Sequence, residues 1–528
     1  MRPLAHRLTA LLTTSALVLA ACSHPDAAGS SAHARTFVVA TAGEPDTLNP
    51  ILGFGTDGAS LIFDGLVARD ATNTLVPALA AQLPTVSPDG KTITVPLRPG
   101  VAFHDGSPLT SADVVFTYRS VLDPSVDSTL RSDLDMIDRV EAPDATTVTF
   151  TLKYAYAPFL QRLVLGIVPA AALQGQDVNT AAFNRQPIGT GPYRLTSWTP
   201  GDRLVLAANT AYYGGAPAND TVVVAFVGDD NVRAQRARAG EFDAVELAPK
   251  LASGFGDVAG YAVHRVPTAD YRGVMLPMGA PVTGDLAVRR ALNTAVDRAA
   301  MVTGVLGGAG EPAFGPVPPG SAYAEPSVVG TAGGDVAAAA RELDAAGWTA
   351  GADGVRAKGG QRAAFILMYP AADSLRKELA LAVVADAEKV GVEVTPEGLT
   401  WDAIRPRMKD DALIMGYGTP YDPDFVSYKL FGGQFAGQGY FNPGSYRNAA
   451  VDRALQDGRD HADPAARKAA YAVFQQQLAA DPPWVFLTYL QHTYVVRDTV
   501  NGVTPRVEAH EHDVANSLWW NIASWTRR

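Results

Sequence analysis

The sequence predicts an α/β protein with mixed sheets, divided into two or three domains. Its 528 residues, 47% hydrophobic and 18% charged, are enough to bury more than one large core. Strand-like and helix-like patterns are interspersed along the whole chain, which is typical of an α/β protein. The 49 glycines and 37 prolines indicate many loops and tight turns, as expected of such a fold.

The predicted strands are short segments that end at turn residues. An apolar run at 37–41 precedes Gly43 and a loop, and is consistent with a buried strand. Asp89-Gly90 lies between two strand-like segments and predicts a hairpin. Residues 146–152, TTVTFTL, alternate polar and apolar side chains and so predict a half-buried strand.

The predicted helices carry local start and stop signals. Thr110, with Asp113 at the third helical position, resembles a capping box. Gly347 and Gly391 are stop signals at the ends of two apolar-periodic segments. Further helices are predicted at 287–303, 335–346, 373–390 and 464–479.

The N-terminal segment is typical of a secretory signal. A short basic region precedes an apolar run at 8–20, which is too short for an ordinary membrane span. Leu-Ala-Ala-Cys at 19–22 resembles the lipobox of bacterial lipoproteins, in which cleavage before the cysteine leaves a lipidated N-terminus. We therefore expect a signal peptide at 1–21, a lipidated Cys22 with a flexible tether over 22–35, and anchoring to the outer face of the cell membrane. The alternative is a plain signal peptide with an incidental cysteine.

Charge and cysteine content argue against several classes of protein. The formal net charge is −11 and is spread along the chain, so nucleic acid is not an expected partner. Cys22 is the only cysteine, which excludes a disulfide framework, a CxxC redox pair and a zinc–thiolate site. No cofactor and no metal are expected.

Three short motifs match functional patterns, but their context favours turns and loops. Residues 53–58 match GxGxxG, yet Asn49-Pro50 interrupts the strand that a dinucleotide site would need. His510 to Asp513 offers only two imidazoles, so a solvated loop is favoured over a metal site. His104 and Asp105 are adjacent and favour a turn over an acid/base pair. An extracytoplasmic peptidase is the alternative from another class, but no nucleophile with its base is visible.

Seven stretches form a combination that is more specific than any of them alone. They are GEPDTLNP (43–50), IFDGLV (62–67), SPDGKTITVPLRPGVAFHDGSPLTSADVVFTY (87–118), PIGTGPYRL (187–195), AVRRALNTAVDR (287–298), RELDAAGW (341–348) and PYDPDF (420–425). Together they resemble the family 5 extracytoplasmic solute-binding proteins, the dipeptide, oligopeptide and nickel binders of bacterial ABC importers.

The resemblance implies a two-lobed fold of the periplasmic-binding-protein type, in the type II, large cluster C form. Two crossing strands would join the lobes, and closure would enclose a ligand between them. Chain order suggests lobe I at 36–265 plus 490–528, with an inserted subdomain at 57–185, and lobe II at 266–489. The expected partners are ABC permease subunits and a small peptide or peptide-like ligand, and the protein is expected to be a monomer.

The resemblance also places the segment GYGTPYDPDFV, 416–426, in the cleft. In peptide-binding relatives an aspartate three residues before the Asp/Glu-Pro pair holds the ligand's α-ammonium, and here that position is Thr419. A neutral hydroxyl cannot replace the charge, so free-amine peptides are expected to bind weakly unless Glu44 or Asp424 substitutes. The pattern Gly-x-Pro-Tyr-Asp-Pro is closer to the nickel-chelate binders, but 426–445 lacks their histidine.

The remaining candidate contacts combine side-chain chemistry with the resemblance. Tyr417 and Tyr421 could stack on or hydrogen-bond a ligand, and Trp401 resembles a cleft tryptophan of oligopeptide binders. Arg407 could meet a carboxylate, and Glu44 a cationic group. For each of them, packing or solvent exposure is the alternative. The expected function is a lipid-anchored importer component for short peptides or peptide-like solutes, with a metal-chelate carrier as the alternative.

Overall fold

The computed structural model describes residues 35–58, 60–510 and 517–528. The predicted signal peptide, the predicted lipidation site Cys22 and nearly all of the predicted tether lie outside these residues. Of the segment from His510 to Asp513, only His510 is described. No helix within the described ranges is long and apolar enough to cross a membrane.

Strands and helices alternate along the chain, as the sequence predicts. The strands are β1 (Thr36–Thr41), β2 (Val67–Arg69), β3 (Leu75–Pro77), β4 (Thr85–Val86), β5 (Thr92–Pro96), β6 (Ile137–Asp144), β7 (Thr147–Leu152), β8 (Tyr193–Thr199), β9 (Arg203–Ala208), β10 (Thr221–Phe226), β11 (Ala244–Glu246), β12 (Tyr261–Met275), β13 (Gly310–Pro312), β14 (Thr349–Ala350), β15 (Arg356–Lys358), β16 (Gln361–Arg362), β17 (Ala364–Pro370), β18 (Glu393–Leu399), β19 (Ala412–Tyr417), β20 (Trp484–Arg497), β21 (Val500–Asn501) and β22 (Thr526–Arg527). The helices are α1 (Ser111–Leu122), α2 (Ala170–Leu173), α3 (Asp230–Arg238), α4 (Pro249–Ser253), α5 (Leu286–Ala295), α6 (Arg298–Gly304), α7 (Val336–Ala345), α8 (Ser374–Glu388), α9 (Trp401–Ile404), α10 (Asp424–Phe431), α11 (Ala449–Asp460) and α12 (Pro464–Ala480).

One large mixed sheet runs through the molecule. Its strand order is β18-β17-β19-β12-β20-β11-β1-β10-β9-β8, and β13 also pairs with β20. Parallel pairs such as β1 with β10 and β17 with β18 occur beside antiparallel pairs such as β12 with β20. A separate four-stranded antiparallel sheet, β4-β5-β7-β6, lies within the stretch predicted to be an inserted subdomain.

The hydrophobic residues divide into two groups of cores. Within the described residues, two clusters contain buried residues between 37 and 266 and between 494 and 525. Two other clusters contain buried residues between 271 and 489. We refer to the body around the first group as lobe I and to the body around the second as lobe II.

Strands β12 and β20 cross from one lobe to the other. The first half of β12 pairs with the second half of β20, which also pairs with β11. The second half of β12 pairs with the first half of β20 on one side and with β19 on the other. With 15 residues at about 3.3 Å each, β12 is about 50 Å long, enough to enter both bodies. Most of β20 is buried and apolar, as expected for a central strand that is covered on both faces.

Most of the local predictions match the observed elements, with one exception. The hairpin at Gly90, which has φ +70°, and the helices at 335–346, 373–390 and 464–479 are present. The single helix predicted at 287–303 is wrong, because the chain is extended at Val296 and a second helix starts after Asp297. Asp297 caps α6, and its N–H donates to Asp386 Oδ2 at 2.8 Å, a tertiary contact that stabilises the break.

Candidate functional site

A cavity of about 620 Å³ lies between the two lobes. Lobe I contributes the start of α3, the end of β11 and the middle of β20. Lobe II contributes the β17–α8 connection, the start of α8 and the β18–α9 connection. Because both lobes line it, a solute bound there would be enclosed by both bodies.

The register of the crossing strands breaks at the cavity. Pairing is regular up to Pro267 with Gln491 and resumes at Tyr271 with Tyr489. Proline cannot donate a ladder hydrogen bond, which suits it to the edge of such an irregularity. In the gap, Ala269 N donates to Glu508 O of the C-terminal segment at 2.8 Å. The break places Asp270 in the cavity wall.

Asp270 is a buried carboxylate with three partners. It is 1% exposed, forms an ion pair with Arg272, and lies 2.8 Å from His510 Nδ1. His492 Nε2 approaches its other oxygen at 3.2 Å. Burial alone would raise the pKa of Asp270, but Arg272, His510 and His492 hold that pKa well below its usual range. The carboxylate therefore stays ionised in the wall of the cleft.

His492 connects Asp270 to a second buried acid. Its Nδ1 lies 2.7 Å from Glu508 Oε2, which also accepts a hydrogen bond from the Tyr494 hydroxyl at 2.7 Å. Burial alone would lower the pKa of His492, but its hydrogen bonds to Asp270 and Glu508 raise it to about 10. The imidazole is therefore a cation at neutral pH, held between two carboxylates.

The lobe II wall presents a guanidinium and an indole. Arg376, in the first turn of α8, is 9% exposed and forms an ion pair with Asp373, the N-cap residue. Burial, with the nearby Arg272, lowers the pKa of Arg376. Trp401 is 36% exposed and lines the same cavity. The wall thus offers one charged donor and one exposed aromatic surface.

Of the six side chains proposed from the sequence as ligand contacts, Trp401 lines this cavity. Glu44 instead accepts hydrogen bonds from Trp198 Nε1 at 2.6 Å and from Gly201 N at 2.7 Å. Arg407 forms ion pairs with Glu397 at 2.7 Å and Asp411 at 2.8 Å. Both charged candidates are thus already partnered within the protein.

The other three candidates lie in the segment 416–426. The Tyr417 hydroxyl donates to Tyr440 O at 2.9 Å, and Thr419 Oγ1 accepts from Tyr421 N at 3.3 Å. The guanidinium of Arg69 lies 3.5 Å from the centre of the Tyr421 ring. Ligand contact by these residues stays a prediction.

The two aspartates of this segment are deeply buried. Arg467 Nη2 donates to both carboxylate oxygens of Asp422, at 2.8 and 2.9 Å. Asp422 also accepts from Asp424 N at 3.1 Å, a contact that stabilises its own turn. Asp424 accepts from the Tyr156 hydroxyl at 2.6 Å and pairs with Arg459 at 3.2 Å. The segment is therefore an internal contact between lobe II and lobe I.

Sequence reasoning missed Asp270, Arg272, His492 and Arg376. Two signals were present: alternating charges in the strand segment TADYRG, and a Gln-His pair within the largely apolar strand WVFLTYLQHTYVV.

At His510 the structure differs from the predicted solvated loop, because this imidazole is largely buried against Asp270. Among residues 35–58, 60–510 and 517–528, no group of three or more His, Cys, Asp or Glu side chains is placed to hold a metal ion.

Comparison with known proteins identifies the family. Residues 74–438 match the model of the bacterial extracellular solute-binding proteins, family 5 Middle, over well more than half of the chain. The chain belongs to this family. Protein XP55 of Streptomyces lividans is 49% identical to this family 5 protein over 491 residues, covering 92% of this chain and 90% of that relative.

Solved structures of family 5 proteins share the fold. NikZ of Campylobacter jejuni, in complex with Ni(L-His), matches with a TM-score of 0.85 and 28% identity, covering 94% of this chain and 100% of that one. AppA of Bacillus subtilis, in complex with a nonapeptide, matches with a TM-score of 0.79 and 27% identity. The match covers 93% of this chain and 99% of that one. The predicted two-lobed fold is confirmed. This family 5 protein is thus an extracytoplasmic solute-binding component of an ABC importer rather than an enzyme.

Proposed function

We propose that the protein captures a short peptide or a peptide-like solute between its lobes and delivers it to a membrane permease. The observation that carries the proposal is the interlobe cavity of about 620 Å³, which is within the range of small-molecule sites, about 300–1,000 Å³. Its lining includes acids, guanidinium groups and an indole, the combination that a zwitterionic, partly apolar solute would need. The nonapeptide in AppA supports the same ligand class.

The division into lobes is part of this proposal. We place lobe I at 36–265 plus 490–528, with 57–185 as its inserted subdomain, and lobe II at 266–489. The separation of the buried clusters between Val266 and Tyr271, and again between Tyr489 and Tyr494, supports these limits. A ligand in the cavity would then contact both lobes and stabilise their closed arrangement.

The chemistry of the 416–426 segment favours a ligand without a free α-ammonium at Thr419. The two acids that the sequence offered as replacements are used elsewhere: Glu44 holds Trp198 and Gly201, and Asp424 holds Tyr156 and Arg459. An unpaired ammonium removed from water beside Thr419 would cost several kcal/mol. A blocked or modified peptide avoids this cost.

Identification of the natural ligand tests the proposal. The protein would be purified under mild conditions, unfolded, and its released solutes identified by mass spectrometry. We expect peptides or peptide-like solutes, and re-addition of the identified solute should raise the melting temperature by mass action. Recovery of a metal chelate without any peptide would contradict the proposal.

A metal-chelate carrier is the second candidate, favoured by the match to NikZ with Ni(L-His). A chelate rich in carboxylates would be met by Arg376 and Arg272 in the cavity wall. Nickel with excess L-histidine, compared with L-histidine alone, should then raise the melting temperature. Equal melting curves for the two would count against this candidate.

We also propose that Cys22 carries a lipid that anchors the protein to the cell membrane. The support is the basic region, the apolar run and the sequence Leu-Ala-Ala-Cys. Cys22→Ala should leave unprocessed precursor or unlipidated protein, measured by intact mass and by partition into a detergent phase. A wild-type mature protein that carries no lipid and begins at another residue would contradict the anchor.

A further inference from the structure

Glu246 differs from the other acids that line the interlobe cavity. It is the last residue of β11, lies in the lobe I wall and is partly buried. Its carboxylate has no hydrogen-bond or ion-pair partner among residues 35–58, 60–510 and 517–528. The other acids of the lining are all paired: Asp230 with Arg233, Asp270 with Arg272, and Asp373 with Arg376.

The cations nearest to Glu246 are committed to other groups. Glu246 lies opposite Tyr494 in the register of β11 and β20, so its side chain shares a sheet face with Tyr494 and His492. His492 is held between two carboxylates, as described above. Arg233 pairs with Asp230 and donates from Nε to the backbone oxygen of Glu246 at 2.7 Å, not to its carboxylate.

An unpaired carboxylate in this position is costly without a ligand. Burial raises the pKa of Glu246, and the neighbouring Glu508 and Asp230 add to that rise against the opposing effect of His492 and Arg233. Such a group is a strong receptor for an incoming cation, because the ligand's charge removes the penalty. The exposed indole of Trp401 in the same cavity offers a second favourable surface for a cation.

We propose that Glu246 receives a cationic group of the solute, so that the transported ligand carries an ammonium or guanidinium group that lies against lobe I. The assignment rests on the proposed function, since it requires that the interlobe cavity is the binding site. In this proposal the acid that binds the ligand's cationic group is Glu246, at the end of β11, and not a residue at position 419. The solute class is then a peptide-like molecule with a basic group, including a blocked peptide with a basic side chain.

The test uses matched probes and matched variants. The probes are N-acetylated alanine tripeptides in which one residue is replaced by lysine, and the same peptides with norleucine, which has a similar shape and no charge. The proteins are the wild type, Glu246→Gln, Glu246→Asp and Glu388→Gln. Glu388 is an exposed residue at the far end of α8 and serves as the control for loss of one acid. Binding is measured by calorimetry, and folding by the melting curve.

We expect the wild type to prefer the best lysine peptide over its norleucine partner by roughly tenfold to a hundredfold, as a charge-assisted hydrogen bond provides. Glu246→Gln should abolish the preference, Glu246→Asp should retain part of it, and Glu388→Gln should retain it in full. If the wild type binds peptides but Glu246→Gln keeps the preference, the Glu246 assignment is wrong and the proposed function stands. If the folded wild type binds no peptide of the set, both are overturned.

Discussion

At the scale of single residues, the cleft is organised by a buried set of alternating charges. Asp270, His492 and Glu508 come from β12, β20 and the C-terminal segment, and each is in hydrogen-bond contact with the next. Removing His492 would leave the buried Glu508 without the imidazolium that it pairs with, which is more costly than loss of an exposed pair. The three groups therefore stabilise the point where the lobes join.

His492 should make the stability of the protein depend on pH. Its pKa is about 10 in the folded protein and about 6.5 in an unfolded chain, so its contribution is fully present below about pH 6.5 and is lost as the pH rises towards 10. His492→Gln should destabilise the protein at pH 6.5 by about 1–3 kcal/mol and by progressively less towards pH 10. Denaturant unfolding at several pH values measures this difference.

The matched control for this experiment is His461→Gln, at an exposed position that follows α11. As a substitution of an exposed side chain, it should change the free energy of unfolding by no more than about 0.5 kcal/mol. A difference between wild type and His492→Gln that is constant from pH 6.5 to 10 would show that the imidazole is not the titrating group.

At the scale of elements, the segment 416–426 is held by side chains of the last two long helices. Arg459 of α11 pairs with Asp424, and Arg467 of α12 pairs with Asp422. Gly418, at φ +144°, permits the close approach to β12, since a Cβ there would lie 1.9 Å from Ala269 O. Tertiary contacts from two helices and from β12 thus fix this segment.

The pair between Asp422 and Arg467 should be strongly stabilising as a unit. Arg467→Met leaves Asp422 buried without its partner, and we expect a loss of about 3–5 kcal/mol in the free energy of unfolding. Adding Asp422→Asn should recover part of that loss, because the buried charge is then absent. Chemical denaturation of the single and double variants measures both quantities.

Lys468→Met is the control, since Lys468 is exposed and adjacent in α12. It should shift the free energy of unfolding by no more than about 0.5 kcal/mol. Equal, small losses for Arg467→Met and Lys468→Met would mean that the ion pair contributes little.

At the scale of the whole molecule, the lobes are in contact at more than one place. Lys250 of α4 pairs with Glu378 of α8, which links the two bodies between elements that line the cavity. Elsewhere, Lys429 of lobe II pairs with Asp133 of lobe I. The first pair is exposed and worth at most about 1 kcal/mol, so it cannot by itself hold the lobes together.

We expect closure of the lobes to depend on ligand. Because a solute in the cavity contacts both bodies, it favours the closed arrangement by its differential affinity for that state. We expect small-angle scattering to show a smaller radius of gyration when the identified solute is added, together with a higher melting temperature. A ligand that raises the melting temperature at an unchanged radius of gyration would contradict lobe closure.

The helices, strands and turns could be predicted where the residues that determine them are neighbours in the sequence. The hairpin at Gly90, the capped start of α1 and the glycine ends of α7 and α8 depend on a few neighbouring residues. The break between α5 and α6 was missed, although Asp297 is a good N-cap residue. Its amide is also held by Asp386, which is distant in sequence, and local patterns do not contain such contacts.

The site was much less predictable than the fold. Trp401 lines the cavity, whereas Glu44 and Arg407 are partnered within the protein. A charged residue is recognisable in a sequence, but its ion-pair partner is not, because the two residues are brought together only when the chain folds. Glu246 was not proposed from the sequence because its immediate neighbours in sequence are ordinary strand residues.

The sequence by itself determined the alternation of strands and helices, the family and the kind of function, because these depend on local periodicity and on stretches of recognisable residues. The tertiary structure alone decided which charges are paired and which are open to a ligand. Asp270 and His492 are separated by 222 residues, yet they are in contact because β12 and β20 lie side by side where the lobes meet. Glu246 is available because folding supplies partners to the acids around it and none, within the described residues, to its own carboxylate.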